Sequence, residues 1–283
     1  MDQVDFKIRA AKFTDRQRLA NLIHFGMYVH RHLDWKPPLE WIGNQPYLVA
    51  EKNGELLAAL ACPPDLPEIA WIRLFAVVPD VPIESIWHEL WSAAQKQLYV
   101  QGKIRVAAIA LQNWFNELLE ASGFDHTHNV IVLMWERGTL YPQPKATGVT
   151  IRLMCLEDLE HIQEIDKSAF SLEWQNSNDS LELAFLQASC ATVAEIEDDI
   201  VGYQISTSST LGAHLARLAV CQEMQGRGIG YFLVSDLLHQ FQQRGVMHVT
   251  VNTQQNNVAS LALYAKAGFK ITGETYRVYQ YLP

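Results

Sequence analysis

The sequence contains no Gly-Lys-Ser or Gly-Lys-Thr tripeptide, which removes the P-loop nucleotide hydrolases from consideration. Its four cysteines, Cys62, Cys155, Cys190 and Cys221, show no spacing of a zinc or dithiol motif. Free thiols in a cytoplasmic protein are the expectation that follows. No apolar run approaches the about 18 residues of a membrane span, and the acidic start Met1-Asp2-Gln3-Val4-Asp5 lacks a signal-peptide core. Positive charge is scarce as well. Lys and Arg number 22 against 31 Asp and Glu, a formal net charge of −9, so a basic face for nucleic acid is not expected. The histidine pairs His30/His32 and His126/His128 have no cysteine or carboxylate companions at ligand spacing, and no metal site is expected.

What is present begins with 49% apolar residues, enough for globular cores in a chain of 283 residues and about two domains. The most informative stretch is Gln225-Gly226-Arg227-Gly228-Ile229-Gly230. It follows the strand-like Leu215–Val220 and precedes Tyr231–Leu238, whose apolar residues recur at helical spacing through Phe241. Glycines at a strand-to-helix turn point backbone N–H groups inward, and the helix dipole adds to their pull on an anion. Arg227 adds a charge-assisted contact. The stretch reads as a diphosphate cradle or, taken by itself, as an ordinary glycine-rich turn. The dinucleotide fingerprint is excluded, because its glycine spacing differs and Asn252 stands near where an acidic residue belongs.

Downstream, Val246–Asn252 alternates as a strand, and Asn257 and Gly268 bracket a helix as cap and stop. The glycine loop and the Asn257…Leu263-Tyr264…Gly268-Phe269 helix together resemble the GCN5-related N-acetyltransferase (GNAT) superfamily, in its order and spacing. The second half is most similar to the subgroup acetylating protein N-termini, including ribosomal-protein acetyltransferases. The resemblance implies an α/β (α+β) fold with a mixed, mostly antiparallel sheet, splayed and flanked by helices. It implies acetyl-CoA as cosubstrate, with the backbone around Leu218 and Val220 holding the pantetheine arm. Gln225, Gly226, Arg227, Gly228, Ile229 and Gly230 would take the pyrophosphate, and Asn257 would help hold the arm. Tyr264 would protonate the departing thiolate, or else is simply an aromatic on the buried stripe of its helix.

The proton acceptor departs from the family pattern. Where the similar subgroup carries a Glu on the following strand this chain has Asn252, and an amide takes no proton. The other family position for a Glu is His214, whose imidazole titrates near neutrality. His214 is either the general base or an exposed histidine at a strand start; Glu195 and Glu173 stand in reserve.

The first half reads as a degenerate copy. Ile8-Arg9 matches Ile151-Arg152, Arg73-Leu74 matches Arg217-Leu218, and Gly123-Phe124 matches Gly268-Phe269, at offsets of 143, 144 and 145. The expected organisation is therefore two tandem GNAT folds: 1–137 non-catalytic, 138–148 a linker, 149–283 catalytic. Opposite the glycine loop stands Pro79-Asp80-Val81-Pro82-Ile83-Glu84, and opposite Tyr264 stands Leu119. Seven of the eight tryptophans lie before residue 138, expected mostly in a core, some at an acceptor pocket or an interdomain face. From residue 146 onward 8 basic residues face 15 acidic ones, which suits a cationic acceptor, either a small amine or a peptide N-terminus. Glu173, Asp179 and Glu182 are placed to attract it. Two other functions fit the same residues: a non-catalytic acyl-CoA sensor, and a thiol-precursor acetyltransferase of the mycothiol synthase type. Oligomeric state is not legible in the sequence.

Overall fold

The computed structural model describes residues 6–139, 141, 142, 144 and 148–283. The acidic start, residues 1–5, and positions 140, 143 and 145–147 of the expected linker lie outside the described residues. The chain packs as two compact units, one of residues up to Thr127 together with Arg277–Pro283, the other His128–Tyr276.

In the first unit β1 (Lys7–Ala10) leads to α1 (Arg16–Phe25), the short strand β2 (Tyr28–Arg31) and the hairpin β3 (Tyr47–Lys52) and β4 (Glu55–Ala61). Then come β5 (Pro64–Leu66), β6 (Ile69–Trp71), β7 (Leu74–Val77), the long helix α2 (Ile83–Gly102), β8 (Arg105–Ala110) and α3 (Asn113–Ala121). Strand β9 (Asp125–Glu136) begins in the first unit and continues into the second. There follow β10 (Thr150–Leu153), α4 (Leu159–Ala169), α5 (Asn178–Leu186), β11 (Cys190–Ile196), β12 (Asp199–Ser208) and β13 (Gly212–Val220). The chain ends with α6 (Ile229–Gln243), β14 (His248–Gln254), α7 (Val258–Lys266) and β15 (Lys270–Tyr281).

In the second unit β10, β11, β12 and β13 pair antiparallel in that order, β13 pairs parallel with β14, and β14 pairs antiparallel with β9. This is the mixed, mostly antiparallel sheet expected. The first unit has the sheet order β1-β3-β4-β7-β2, with β6 pairing parallel to β8. Each unit is completed by a strand from the other half of the sequence. Strand β9 pairs with β14 from Val130↔Gln254 to Glu136↔His248, and its Ile131, Leu133 and Trp135 share a core with Val249, Val251 and Phe241. The chain's last residues pair with β8 from Arg277↔Ala110 to Tyr281↔Val106, and Tyr279 is buried among Trp87, Leu90 and Phe115. Packing therefore divides the chain at 127/128 and 276/277.

The duplication is visible in one ion triad. Arg152 grips both oxygens of Asp158 at 2.7 and 2.9 Å and donates through Nε to Glu195 at 2.8 Å; Asp158 also accepts from the Cys155 N–H at 2.8 Å. Arg9, Asp15, Glu51 and Lys12 make the same contacts in the first unit. The triad ties the first strand to the start of the first helix and to the next strand over. The arginine holds each aspartate carboxyl down at about 2, with the backbone N–H assisting. Strand register also refines the repeat. Leu74 opposes Ala61 as Arg217 opposes Ile205, and Ala61 corresponds to Ile205 through the hairpins, so Leu74 matches Arg217, one place from the sequence match.

Two outcomes are expected. Because both aspartates titrate below their ordinary value of about 3.9, their stabilisation is complete above that pH and is lost as pH falls toward 2. Each contributes about 2 kcal/mol, and Asp158→Asn should flatten the acid limb of urea-unfolding stability by that amount. Secondly, a fragment of residues 149–283 lacks Ile131, Leu133 and Trp135 of its core and should expose apolar surface, read by dye binding. Extending it back to residue 128 should restore a cooperative unfolding transition.

Candidate active site

The site is built where β13 and β14 part. Their parallel pairing runs from Gly212↔His248 to Leu215↔Val251 and stops, while β13 stays paired to β12 as far as Val220. The cause is local. Ser206 faces Leu215 and Ile205 faces Arg217, so Ala216 is an extra residue, a bulge that bends β13. Beyond it, no strand among the described residues pairs with 217–220, Leu218 and Val220 included, on the β14 side.

At the end of that edge the chain turns into α6 through the glycine loop. Gly226 and Gly228 have φ of +76° and +85°, and a Cβ at either would meet nothing within 4 Å. Glycine is needed there for the left-handed backbone, and the space above it is open. Gly230 has another reason, since a Cβ there would lie 2.9 Å from Leu263 Cδ1, so it lets α6 approach α7. Gly228 caps α6 without a side-chain bond, leaving the first N–H groups of the helix directed at this space. Ile229 buries its side chain at 2% exposure and offers only its backbone. Gln225 donates through Nε2 to the Val220 carbonyl at 3.0 Å, tying loop to strand. Arg227 is exposed, with no ion-pair partner among the described residues. Unpaired N–H groups, open space and a free guanidinium fit a diphosphate; the unpaired strand edge fits the amides of a pantetheine arm.

Helix α7 opens at Asn257, whose Oδ1 accepts from the Ser260 N–H at 3.0 Å, the cap expected. Its Nδ2 donates to Gln254 Oε1 at 3.5 Å, which leaves one amide N–H for a ligand. The other end explains how Tyr264 is held. Phe269 N–H donates to the Tyr264 carbonyl at 2.9 Å and Gly268 N–H to Ala265 at 3.0 Å, with Gly268 at φ +89°. This paired closure normally carries an apolar contact across it, here the Tyr264 and Phe269 rings with centroids 5.5 Å apart. Tyr264 is 5% exposed, and burial pushes its phenol above the ordinary value. The first unit repeats the closure, with Phe124 N–H on the Leu119 carbonyl, but Leu119 has no hydroxyl.

His214 is half-buried, and desolvation lowers its pKa below the ordinary value, so the ring is neutral at neutral pH. Its Nδ1 lies 2.9 Å from Thr250 Oγ1, and Thr250 directs its hydroxyl toward the Ala213 carbonyl at 3.3 Å. A hydroxyl has one proton, so Thr250 accepts from Nδ1–H, which leaves the lone pair on Nε2. Alternation sets His214 on the face of β13 opposite Ala213 and Leu215, which pack with Tyr264. Glu195 is not available as a base, because Arg152 holds it. Glu173, on the short turn Leu172–Trp174, is half-buried.

Sequence reasoning missed two features. Thr250 becomes a partner of His214 only through strand register. A buried cluster also fixes the turn Leu172–Trp174: Arg217 grips Asp166 at 2.8 and 2.7 Å, donates to the Trp174 carbonyl at 2.6 Å and lies 3.6 Å over the Phe170 ring. Asp166 accepts in addition from Tyr203 Oη and from the Asn176 N–H.

Known proteins resemble this chain in sequence and in fold. Residues 159–269 match the acetyltransferase (GNAT) family. An uncharacterized N-acetyltransferase of Methanocaldococcus jannaschii is 29% identical over 123 residues, 42% of this chain and 77% of that protein. A ribosomal protein bS18-alanine N-acetyltransferase of Salmonella typhimurium is 25% identical over 120 residues, 42% of this chain and 80% of that one. The solved structure of a tandem GNAT protein from the clavulanic acid biosynthesis pathway superposes with a TM-score of 0.69 at 14% identity, covering 98% of both chains. This chain therefore carries a GNAT-family acetyltransferase domain in its second half and takes the tandem GNAT fold over its length. No helix among the described residues is long and apolar enough to cross a membrane.

The closure at α7 separates packing from chemistry. Phe269→Ala should lower unfolding stability by about 3–5 kcal/mol, whereas Tyr264→Phe, which loses no protein hydrogen bond, should change it by less than about 0.5 kcal/mol in urea titrations.

Proposed function

We propose that the second unit transfers the acetyl group of acetyl-CoA to a primary amine, of a small molecule or a peptide N-terminus, by direct attack in a ternary complex. The observation that carries this reading is an unpaired strand edge leading into an open glycine loop at a helix N-terminus. Acetyl-CoA supplies a thioester whose acyl carbon is open to attack. The edge around Leu218 and Val220 would hold the pantetheine arm, and Gln225–Gly230 the pyrophosphate, with the amide of Asn257 assisting. Fixing both reactants side by side contributes much of the rate.

His214 accepts the proton of the attacking amine at Nε2, directly or through a water, with Thr250 holding the ring in the required tautomer. Tyr264 donates from its hydroxyl toward the departing sulfur. A phenol held above its ordinary value of about 10 is a weaker acid than a thiol near 8.5, so a hydrogen bond that strengthens as charge develops is its main contribution. The acidic second half, with Asp179 and Glu182 exposed on α5, favours a cationic acceptor. The first unit, with Leu119 at the tyrosine position and Pro79–Glu84 at the loop, is non-catalytic, and the two GNAT folds divide as 1–137 and 149–283 around a linker.

Isothermal titration of acetyl-CoA tests the reading. Wild type should bind in the micromolar range and Gly228→Glu not at all; absence of binding by wild type would remove the proposal. Tyr264→Phe should keep cofactor affinity while turnover with an amine falls about 10²–10⁴-fold. The acid limb of kcat should lie below pH 6.5, since burial lowers His214, and should disappear in His214→Gln. Thr250→Val should cut kcat while leaving the cofactor Kd unchanged, and Thr250→Ser should restore it.

A further inference from the structure

We infer that the cofactor cleft of the first unit is permanently filled by the chain's own strand β2, so that the protein holds one acyl-CoA per chain. The inference rests on the reading that the corresponding cleft of the second unit is the cofactor site.

Strand registers identify the two clefts. In the first unit β6 pairs parallel with β8 through Ile69↔Arg105, Ala70↔Val106 and Trp71↔Ala107; in the second, Gly212↔His248, Ala213↔Val249 and His214↔Thr250 stand at the same places, each 143 residues on. Strand β7 then corresponds to 217–220, the edge left open in the second unit. In the first unit that edge is occupied. β2 pairs with it antiparallel along its full length, from Tyr28↔Val77 to Arg31↔Leu74. The pairing is extended at both ends by Met27 N–H to the Val77 carbonyl at 2.9 Å and His32 N–H to the Arg73 carbonyl at 3.0 Å.

Side chains seat the strand. Tyr28 packs on Trp114 at 5.3 Å between centroids, and His30 stacks on Phe115 at 4.1 Å. His30 Nε2 lies 3.2 Å from the carbonyl of Ile72, at the point where β6 ends and β7 begins. His30 is 3% exposed, and burial pulls its pKa down to about 4, so the neutral ring stays in place across the physiological range.

Three substitutions between the repeats explain the different fates of the same segment. The entry into β2 is Gly26, where a Cβ would lie 2.6 Å from the Leu22 carbonyl and 3.1 Å from the Val77 carbonyl. No side chain fits, and the matching position is Ala169. Leu74 and Ile23 match Arg217 and Asp166, whose ion pair holds the equivalent segment, Leu172–Trp174, as a short turn bonded at the Trp174 carbonyl. The second unit pins this segment away from its open edge, and the first lays it into the edge as a strand.

Hydrogen exchange on the full chain, with coenzyme A and acetyl-CoA as probes, tests this beside a binding stoichiometry. Expected are protection of 27–32 and 74–77 in the free protein, unchanged by saturating coenzyme A. Residues 216–220 and 226–230 should gain protection, with one ligand bound per wild-type chain and none by Gly228→Glu. Rapid exchange of 27–32 in the free protein would overturn the inference. So would two ligands per chain, or binding by Gly228→Glu that alters 27–32 and 74–77. Protected 27–32 in a wild type that binds no coenzyme A would support the filled cleft while removing the cofactor reading of the second unit.

Discussion

A strand edge inside a protein must find partners for its N–H and C=O groups, and the arrangement of both units follows from how that demand is met. In each unit a strand parts from its parallel neighbour after three or four paired residues, opening a wedge with unpaired backbone along one side. The first unit answers with its own chain, admitted by Gly26 and seated by Tyr28 and His30. The second keeps its wedge open, because Arg217 and Asp166 hold the competing segment elsewhere. A buried ion pair of this kind adds little net stability once desolvation is counted. Its effect here is on conformation, deciding which of two structures one segment adopts.

The chemistry assigned to the open wedge depends on helix ends. The N-terminus of α6 offers unpaired donors, and the C-terminus of α7 clamps Tyr264 against Phe269. Burial then acts on both titrating groups in the useful direction. It lowers His214 and raises Tyr264, so that around neutral pH the imidazole is unprotonated and the phenol protonated, as the proposed base and acid require. The two lie toward opposite faces of β13, with the strand edge proposed for the thioester between them.

Exchange of the closing strands makes the duplicated halves interdependent. Strand β9 brings Ile131, Leu133 and Trp135 to the core behind β14, and the end of the chain brings Tyr279 to the core behind β8.

Much was legible in the residues themselves. Glycines 226 and 228, the Asn257 cap and the Gly268-Phe269 closure are local, each dictated by backbone conformation over a few residues, so sequence alone specified the glycine turn, the tyrosine helix and the duplicated GNAT fold. The repeat of Arg9 in Arg152 marked the same ion triad twice. Long-range pairing decided the rest. The Thr250 contact with His214, the capture of Glu195 by Arg152, the exchange of β9 and the end of β15, and the filling of one wedge by β2 all depend on register between distant strands. A one-residue shift in register reverses which face a side chain occupies, and no short stretch of sequence carries that information.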